Sequence, residues 1–502
     1  MHPALLLDDV LRQILEFCPT TCLPAVSRTC LAWRDPALDS IWCHLGSLIP
    51  LLNLVPGLVC VDGVYSAPCK VRLDLRIFKS YAARVKHITQ RHDTRVHPAL
   101  LSALCPPGIT LLTMLTTTRL SSTDPHCFPA VLSLAPNLRQ LDLDFGFKRG
   151  IADSSSDYIE SMLHVALNIE RIRLRGLASQ RLNASISRMS NLRSLTLRTG
   201  PCLTSDTLVA ISAFPHLLEL DIDAGHLDAE RLADSWSLSG ADDSYFRSLH
   251  KLHISAQAPV VELLLRTLRP GSLQNLRIEA TRPASAVDWS SIFSLISDHG
   301  SHTLEDLTIE HHLENLEDTD LDALHATTNT QPSTQNTHSH RHNNRITFDI
   351  IQRLAPLRRI RRLIIEATRA PDLCDKDIET LATWWPTLEH LDLGCLHSSE
   401  CTLTSSPRAT LACLRSVAAS MQMLDTLILP LSITGVPPLP SSVASTALSR
   451  ATFTSPFPPL DPAATAYYLH GLFPRLTQLE GTDQHEAEWE QVQQLLRGQN
   501  TT

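Results

Sequence analysis

Leucine and isoleucine recur along this chain in one spacing, L-x-x-L-x-L. It is plainest in three near-copies: "APNLRQLDLD" at 135–144, "FPHLLELDID" at 214–223 and "WPTLEHLDLG" at 385–394. Clear copies start at Leu138, Leu192, Leu217, Leu249, Leu273, Leu304, Leu388 and Leu424, and Ile169 and Ile360 start conservative variants. Weaker copies start at Ile109, Leu448 and Leu476, with Val85 the candidate opening of the series. In x-L-x-L-x the apolar side chains alternate, which puts them on one face of a short strand. Between the phrases the apolar period lengthens to that of a helix, as in "SDYIESMLHVAL", "DTLVAISAF", "VVELLLRTL", "SSIFSLIS", "DIETLATWW" and "LACLRSVAAS".

A single strand with a single helix cannot bury its apolar face alone, whereas stacked copies bury a continuous core between a strand layer and a helix layer. Most starts lie roughly 23 to 36 residues apart, which overlaps the range of helix-bearing repeats. The pattern therefore predicts an α/β solenoid, with parallel strands on the concave face and helices on the convex face. Pro136, Pro215, Pro386 and Pro474 each follow a helical stretch and precede the leading apolar residue by two positions. Proline lacks the N–H that would continue a helix and disfavours helix in the residue before it, so it marks where the chain turns toward the strand.

The phrases divide the chain. Residues 1–50 hold three short apolar helical patterns, "LLDDVLRQILEFC", "CLPAVSRTCLAWRD" and "PALDSIWCHL", and read as a small helical domain. Residues 51–84 read as a helical connector, because Leu75, Phe78, Tyr81, Ala82 and Val85 form an apolar stripe. The solenoid spans 85–480. Its one doubled interval contains "HATTNTQPSTQNTHSHRHNNR" at 325–345, too poor in apolar residues to offset the entropy of ordering, and this predicts a disordered insertion. Residues 481–502 predict a terminal helix that covers the exposed end of the core, with Trp489, Val492, Leu495 and Leu496 on one side.

Composition changes the picture little. A net charge of −9 gives no reason to expect nucleic acid or an anionic membrane as partner. The 13 cysteines include no C-x-x-C pair, so reduced thiols in the cytoplasm or nucleus are expected. The N-terminus lacks the basic flank and cleavage site of a secretory leader, and the longest uncharged stretch, 45–61, is broken by Pro50, Asn53 and Pro56. Cys18, Cys22 and Cys30, and the alternating His338, His340 and His342, are the two groups with metal-ligand chemistry. The first sits in apolar helices and the second in a polar loop, so neither a metal nor another cofactor is expected. No G-x-S-x-G, H-E-x-x-H or Gly-rich phosphate loop occurs, which points away from an enzyme.

The array resembles the leucine-rich repeats of the longer, helix-bearing type, which curve into a horseshoe. The family often carries Asn or Cys three residues past the last leucine, where it ties neighbouring turns together; here those positions hold Gly146, Gly200, Gly225, Gln257, Thr281 and Leu396. The first fifty residues resemble the F-box. Leu6, Asp9, Val10, Ile14 and Leu15 match its opening, and Trp33, Pro36, Leu38 and Trp42 match its close in "WRDPALDSIW". Leu7 stands where the family has proline, and Asp9 where it has glutamate. The resemblance implies a non-catalytic substrate receptor of the ubiquitin-conjugation pathway: the F-box binds a Skp-type adaptor on a cullin–RING ligase, and the repeats hold a target protein. It implies adaptor-facing roles for Leu6, Val10, Ile14, Leu23, Val26 and Trp42, some of which must instead form the small domain's own core. The alternative is a repeat scaffold that binds a partner without any ligase.

The x positions of each strand point away from the core and are readable. Arg171, Arg173 and Arg175 occupy one rung and Arg198 the next, with acidic rungs on either side, including Glu219, Asp221 and Asp223. These seven residues form the candidate target-binding surface. Two readings compete. Cross-strand pairing, as of Asp142 with Arg173, would stabilise the sheet by under about 1 kcal/mol per pair. Free arginines would instead offer bidentate contacts to an acidic or phosphorylated target.

Overall fold

The computed structural model describes residues 7–67, 73–90, 95–97, 100, 104, 111–121, 135–147, 156–157, 159–160, 168–238, 245–311, 346–367, 370–394, 407–439, 447–455, 457–481 and 485–499. The chain forms two compact units, Met1–Leu217 and Leu218–Thr502. Each carries parallel strands backed by helices, the α/β repeat architecture that the leucine phrases predict.

The first unit opens with helices α1 (Asp8–Glu16), α2 (Leu23–Val26) and α3 (Leu31–Trp42). Leu15, Leu23 and Ala37 form their small core, with Cys18, Val26 and Ile41 packed against it. The helix boundaries differ from the sequence pattern. The expected second helix shrinks to one turn, and α3 runs through Pro36 rather than starting there. Proline removes only one intrahelical bond, and burial of Pro36 and Ala37 holds the helix together across it.

After α3 come β1 (His44–Leu45), α4 (Ile49–Leu52), β2 (Val59–Val61), β3 (Val64–Ser66), α5 (Arg76–Ala82), β4 (His87–Gln90), β5 (Arg95–Val96), β6 (Thr117–Ser121), β7 (Gln140–Asp144), β8 (Arg171–Arg175), α6 (Arg181–Ile186), β9 (Ser194–Arg198) and α7 (Ser205–Ser212). The connector is thus not wholly helical. Asp62 and Gly63 both take positive φ, 50° and 77°, and join β2 to β3 in an antiparallel hairpin. Asp-Gly supplies the left-handed pair that a two-residue hairpin turn requires.

In this unit β1, β4, β6, β7, β8 and β9 lie side by side in that order, every pair parallel. The alternation is as expected: Leu141, Leu143, Ile172, Leu174, Leu195 and Leu197 are buried, and the residues between them face out. The leading residues Leu138, Ile169 and Leu192 are buried as well, two positions before each strand begins. One expected copy is corrected. Ile109 lies outside the described residues, and the strand between β4 and β7 forms later, at Thr117–Ser121, behind a buried Leu115. Its phrase reads L-x-x-T-x-L, and buried Thr118 in a leucine position hid it.

Among the described residues no asparagine joins the turns after β7 and β8. Backbone does so instead: Leu177 donates to the Gly146 carbonyl at 2.9 Å and Gly176 to that of Arg198 at 3.0 Å. Gly176 has φ +110°, and a Cβ there would lie 2.3 Å from the Gly146 oxygen. The close approach demands glycine.

The second unit holds β10 (Glu219–Asp223), α8 (Ala229–Leu238), β11 (Lys251–Ala256), α9 (Ala258–Thr267), β12 (Asn275–Ala280), α10 (Ala286–Gly300), β13 (Asp306–His311), α11 (Phe348–Ile351), β14 (Arg362–Ala367), α12 (Asp375–Trp384), β15 (His390–Asp392), α13 (Leu414–Ser420), β16 (Thr426–Pro430), β17 (Arg450–Thr454), α14 (Pro462–Leu472), β18 (Gln478–Gly481) and α15 (Glu486–Gln499). These strands pair in chain order, all parallel. Register also runs one residue ahead of the strands: Glu305 donates to the Gln274 carbonyl, Arg361 to Glu305 and Glu389 to Arg361. Capping boxes start α10, from Ser285 and Asp288, and α12, from Cys374 and Asp377.

The last strand is closed by α15. Trp489, Val492 and Leu496 are buried, Leu495 is partly exposed, and the Gln493 side chain accepts from the Leu479 N–H and donates to the Thr477 carbonyl. A final strand otherwise presents unpaired backbone groups to any passing chain. The insertion expected at 325–345 lies outside the described residues, as do residues 500–502 and the helix expected over "SDYIESMLHVAL" apart from Ser156, Asp157, Ile159 and Glu160. Among the described residues no helix is long and apolar enough to cross a membrane.

Candidate functional site

Two surfaces of the first unit stand out. The first is α1. Asp8 and Asp9 occupy its first turn, where the helix dipole favours negative charge. Leu11 and Leu15 point inward and are buried. A second apolar row runs along the helix on another side, through Leu7, Val10, Ile14 and Phe17, at offsets of three, seven and ten residues. Val10 and Ile14 are half-buried, while Leu7 is 58% and Phe17 89% exposed. Leu31, at the first position of α3, is 83% exposed.

The six expected adaptor-facing residues therefore separate. Leu6 lies outside the described residues. Leu23 faces inward and belongs to the small core. Val26 packs against the edge of that core. Trp42 is half-buried and lies against Tyr81 of α5, ring centroids 4.6 Å apart. Val10 and Ile14 remain on the outward row, and Leu7, Phe17 and Leu31 join them. Helical spacing alone put Phe17 in the stripe, but only the fold distinguishes the row that stays outside.

Ion pairs fix these helices. Arg12 bonds Asp8 at 2.6 Å and Asp39 of α3 at 2.8 Å; Arg84, which follows α5, reaches the same Asp39 and also Asp35 at 2.8 Å. Both guanidinium groups are held above their usual range: Arg12 chiefly by its hydrogen bond to Asp8, and Arg84 by Asp35 and Asp39, which outweigh the opposing effect of burial.

The second surface is the outward row of β8. Arg171, Arg173 and Arg175 are all exposed, between buried Ile172 and Leu174. In register, Arg173 sits between Asp142 of β7 and Thr196 of β9, and Arg175 between Asp144 and Arg198. The expected pairing of Asp142 with Arg173 does not form. Asp142 turns the other way, to Arg119 of β6 at 3.3 Å. Asp144 accepts from the Gly146 N–H at 3.0 Å. Among the described residues no carboxylate pairs with Arg171, Arg173 or Arg175. Like charges on neighbouring rungs about 4.8 Å apart repel, and the Arg175–Arg198 register step places two such charges together.

Where the chain enters these strands lies a polar cleft of about 410 Å³, lined by Asn137, Arg139, Asn168, Glu170, Asn191, Arg193 and His216. Glu170 receives Arg139 at 3.3 Å and Arg193 at 3.8 Å. The residues immediately before the leading leucine or isoleucine supply its asparagines and histidine. The signal was present in "PNL", "LNI", "SNL" and "PHL" but fell outside the phrase.

In the second unit the acidic rung Glu219, Asp221 and Asp223 is engaged. Glu219 pairs with Lys251 at 3.3 Å, Asp221 with His253 at 3.3 Å, and Asp223 accepts from the Gly225 N–H at 3.2 Å. The seven expected target-binding residues therefore fall into an exposed arginine rung in one unit and a neighbour-paired acidic rung in the other.

No protein-family model matches the chain, and no curated protein matches it. Among solved structures, the chain is similar to one from the yeast Rad7 and Elc1 complex, at 14% identity over 85% of this chain and 87% of that one, with a TM-score of 0.40. It is also similar to an internalin from Listeria monocytogenes, at 13% identity over 94% and 92%, with a TM-score of 0.28. The repeat architecture stands on the parallel register of the chain's own strands, whatever these two likenesses share with it.

Proposed function

We propose that this chain is a non-catalytic substrate receptor, in which α1–α3 dock a Skp-type adaptor of a cullin–RING ubiquitin ligase and the repeat strands hold a target protein. The observation that carries this reading is the doubled apolar character of α1. Leu11 and Leu15 suffice for its own core, yet Leu7, Val10, Ile14 and Phe17 form a further row facing out. An exposed large apolar row is a docking surface more often than an accident, and the F-box resemblance of the same residues names the adaptor. On this reading the protein works in the cytoplasm or nucleus. It contributes proximity rather than chemistry: a target lysine is held near a charged conjugating enzyme.

The arginine rung supports an acidic or phosphorylated target, because a planar guanidinium grips carboxylate or phosphate with two hydrogen bonds. The test is co-purification of the full chain with a Skp-type adaptor. Wild type is expected to retain it, and Ile14→Asp with Phe17→Asp to lose it without a change in melting temperature. A wild-type chain that fails to bind any adaptor, while still capturing a partner through its strands, would instead be a scaffold without a ligase.

A further inference from the structure

We propose that Cys43, His44 and His87 form a zinc site at the junction between the N-terminal helices and the first strands of the ladder. Cys43 follows the last residue of α3, His44 opens β1 and His87 opens β4. Their ligand atoms, one from each residue, all lie within 4.8 Å of one another. No other group of three such residues meets that condition among the described residues, and Cys18, Cys22 and Cys30 do not. The site went unread in the sequence because His87 is far from the other two ligands along the chain.

The backbone brings the three together. His44 and His87 are register partners on parallel strands, and their rings stack with centroids 4.3 Å apart. The N–H groups of Lys86 and His87 both donate to the Cys43 carbonyl, at 3.0 and 2.9 Å. Arg84, three residues before His87, is tied to Asp35 and Asp39 on the last turns of α3. Both chain segments that carry ligands are thus held in place before any ion arrives.

The donor set is one thiolate and two imidazoles, which suits zinc over the hard cations that prefer oxygen. With bonds of about 2.3 Å to sulfur and about 2.0 Å to nitrogen, tetrahedral coordination places such atoms roughly 3.3 to 3.6 Å apart. The ligand atoms would close from within 4.8 Å to that spacing on binding. The His44 ring is exposed and gives the ion a route in from solvent. Three protein ligands leave the fourth position to water. Bound zinc would add a coordinate link to the two residue pairs that join β1 to β4, and so tie the end of α3 more firmly to the first strands.

The test titrates the full-length, metal-free chain with Co(II) and then displaces it with Zn(II). One equivalent of Co(II) is expected to give a visible ligand-field band together with a near-ultraviolet thiolate-to-cobalt charge-transfer band. Cys43→Ser should abolish the charge-transfer band, and His44→Gln or His87→Gln should weaken Zn(II) binding at least tenfold. Replacing His338, His340 and His342 together by alanine should leave both bands unchanged. Zinc should raise the melting temperature of wild type but not of His44→Gln, whose exposed ring makes it the variant least prone to misfold. A charge-transfer band that survives Cys43→Ser, equal Zn(II) affinity in wild type and His44→Gln, or no stoichiometric binding by wild type would overturn the proposal.

Discussion

Asp142 pairs with Arg119 on one side, at 3.3 Å, and so leaves Arg173, its register partner on the other side, without a carboxylate among the described residues. Asp142 satisfies the rung of β6 and not that of β8. Its choice turns β8 from an internally neutralised strand into a row of three outward cations.

Reversing that row tests the reading directly. Arg173→Glu with Arg175→Glu should abolish capture of acidic or phosphoserine-containing peptides, measured by fluorescence anisotropy, and leave adaptor co-purification unchanged. Exposed sites away from special features usually shift stability by no more than about 0.5 kcal/mol, so the melting temperature should hardly move. The complementary change, Arg119→Ala, releases Asp142 toward Arg173 and should weaken peptide binding several-fold. If peptide affinity is indifferent to all three positions, the arginine rung is not the docking surface.

Asp39 receives guanidinium groups from two directions, Arg12 on α1 and Arg84 beyond α5. Asp39→Ala would leave both cations short of a partner in a partly buried setting. A loss of about 1–2 kcal/mol is expected, with hydrogen-exchange protection falling in α1 and α5 together. Loss confined to one helix would show that the two ion pairs act independently.

Gln493 seals the end of the second unit by occupying both the Leu479 N–H and the Thr477 carbonyl. Gln493→Ala strands a buried donor and should cost about 1–3 kcal/mol, whereas Gln493→Glu keeps the acceptor and loses the donor. Exchange of the Leu479 amide, followed by mass spectrometry, should accelerate in the alanine variant and much less in the glutamate one. Packing is equally strict nearby: a Cβ on Gly481 would lie 1.9 Å from Trp489, so Gly481→Ala should displace the closing helix.

His390 is held below the usual histidine range, first by burial and then by Arg362 and Arg450, with Asp425 opposing them. Its Nε2 is buried without a hydrogen-bond partner. The fold therefore prefers the neutral ring. The unfolded chain, with an ordinary value near 6.5, takes up the proton first as pH falls. Stability from this group is fully present above about pH 6.5 and is lost as pH drops toward the folded value. Denaturant midpoints should fall between pH 7 and pH 5 in wild type, and His390→Gln should flatten part of that slope. An unchanged slope would assign the pH dependence to other groups.

The strands were legible because burial on one face of a parallel ladder imposes a strict period of two. Leu141 with Leu143, Ile172 with Leu174 and Leu220 with Ile222 are all buried, as the phrase requires. The period fails where a position tolerates a substitute. Thr118 fills a leucine position in β6 and moved the expected copy to Ile109, because a buried hydroxyl reads as polar in a sequence and as a methyl in a tight ladder. The connector departs from a wholly helical one for a related reason: its apolar stripe covers only α5, and the Asp62-Gly63 turn makes a hairpin of β2 and β3.

What the sequence by itself determined is the layer each residue belongs to. Alternating leucines must face a core, helical stretches must cover it, and an amphipathic segment within 481–502 must cover its end, since these arrangements remove that apolar surface from water. What only the tertiary structure decided is which polar groups meet. Whether Asp142 turns toward β6 or β8, whether Leu23 or Phe17 is left outside, and whether His87 arrives beside Cys43 and His44 all depend on neighbours distant in the chain. Such encounters involve energies of about 1 kcal/mol against alternatives of the same size, too small for local sequence to fix. The hydrophobic period is repeated many times over and leaves no competing solution.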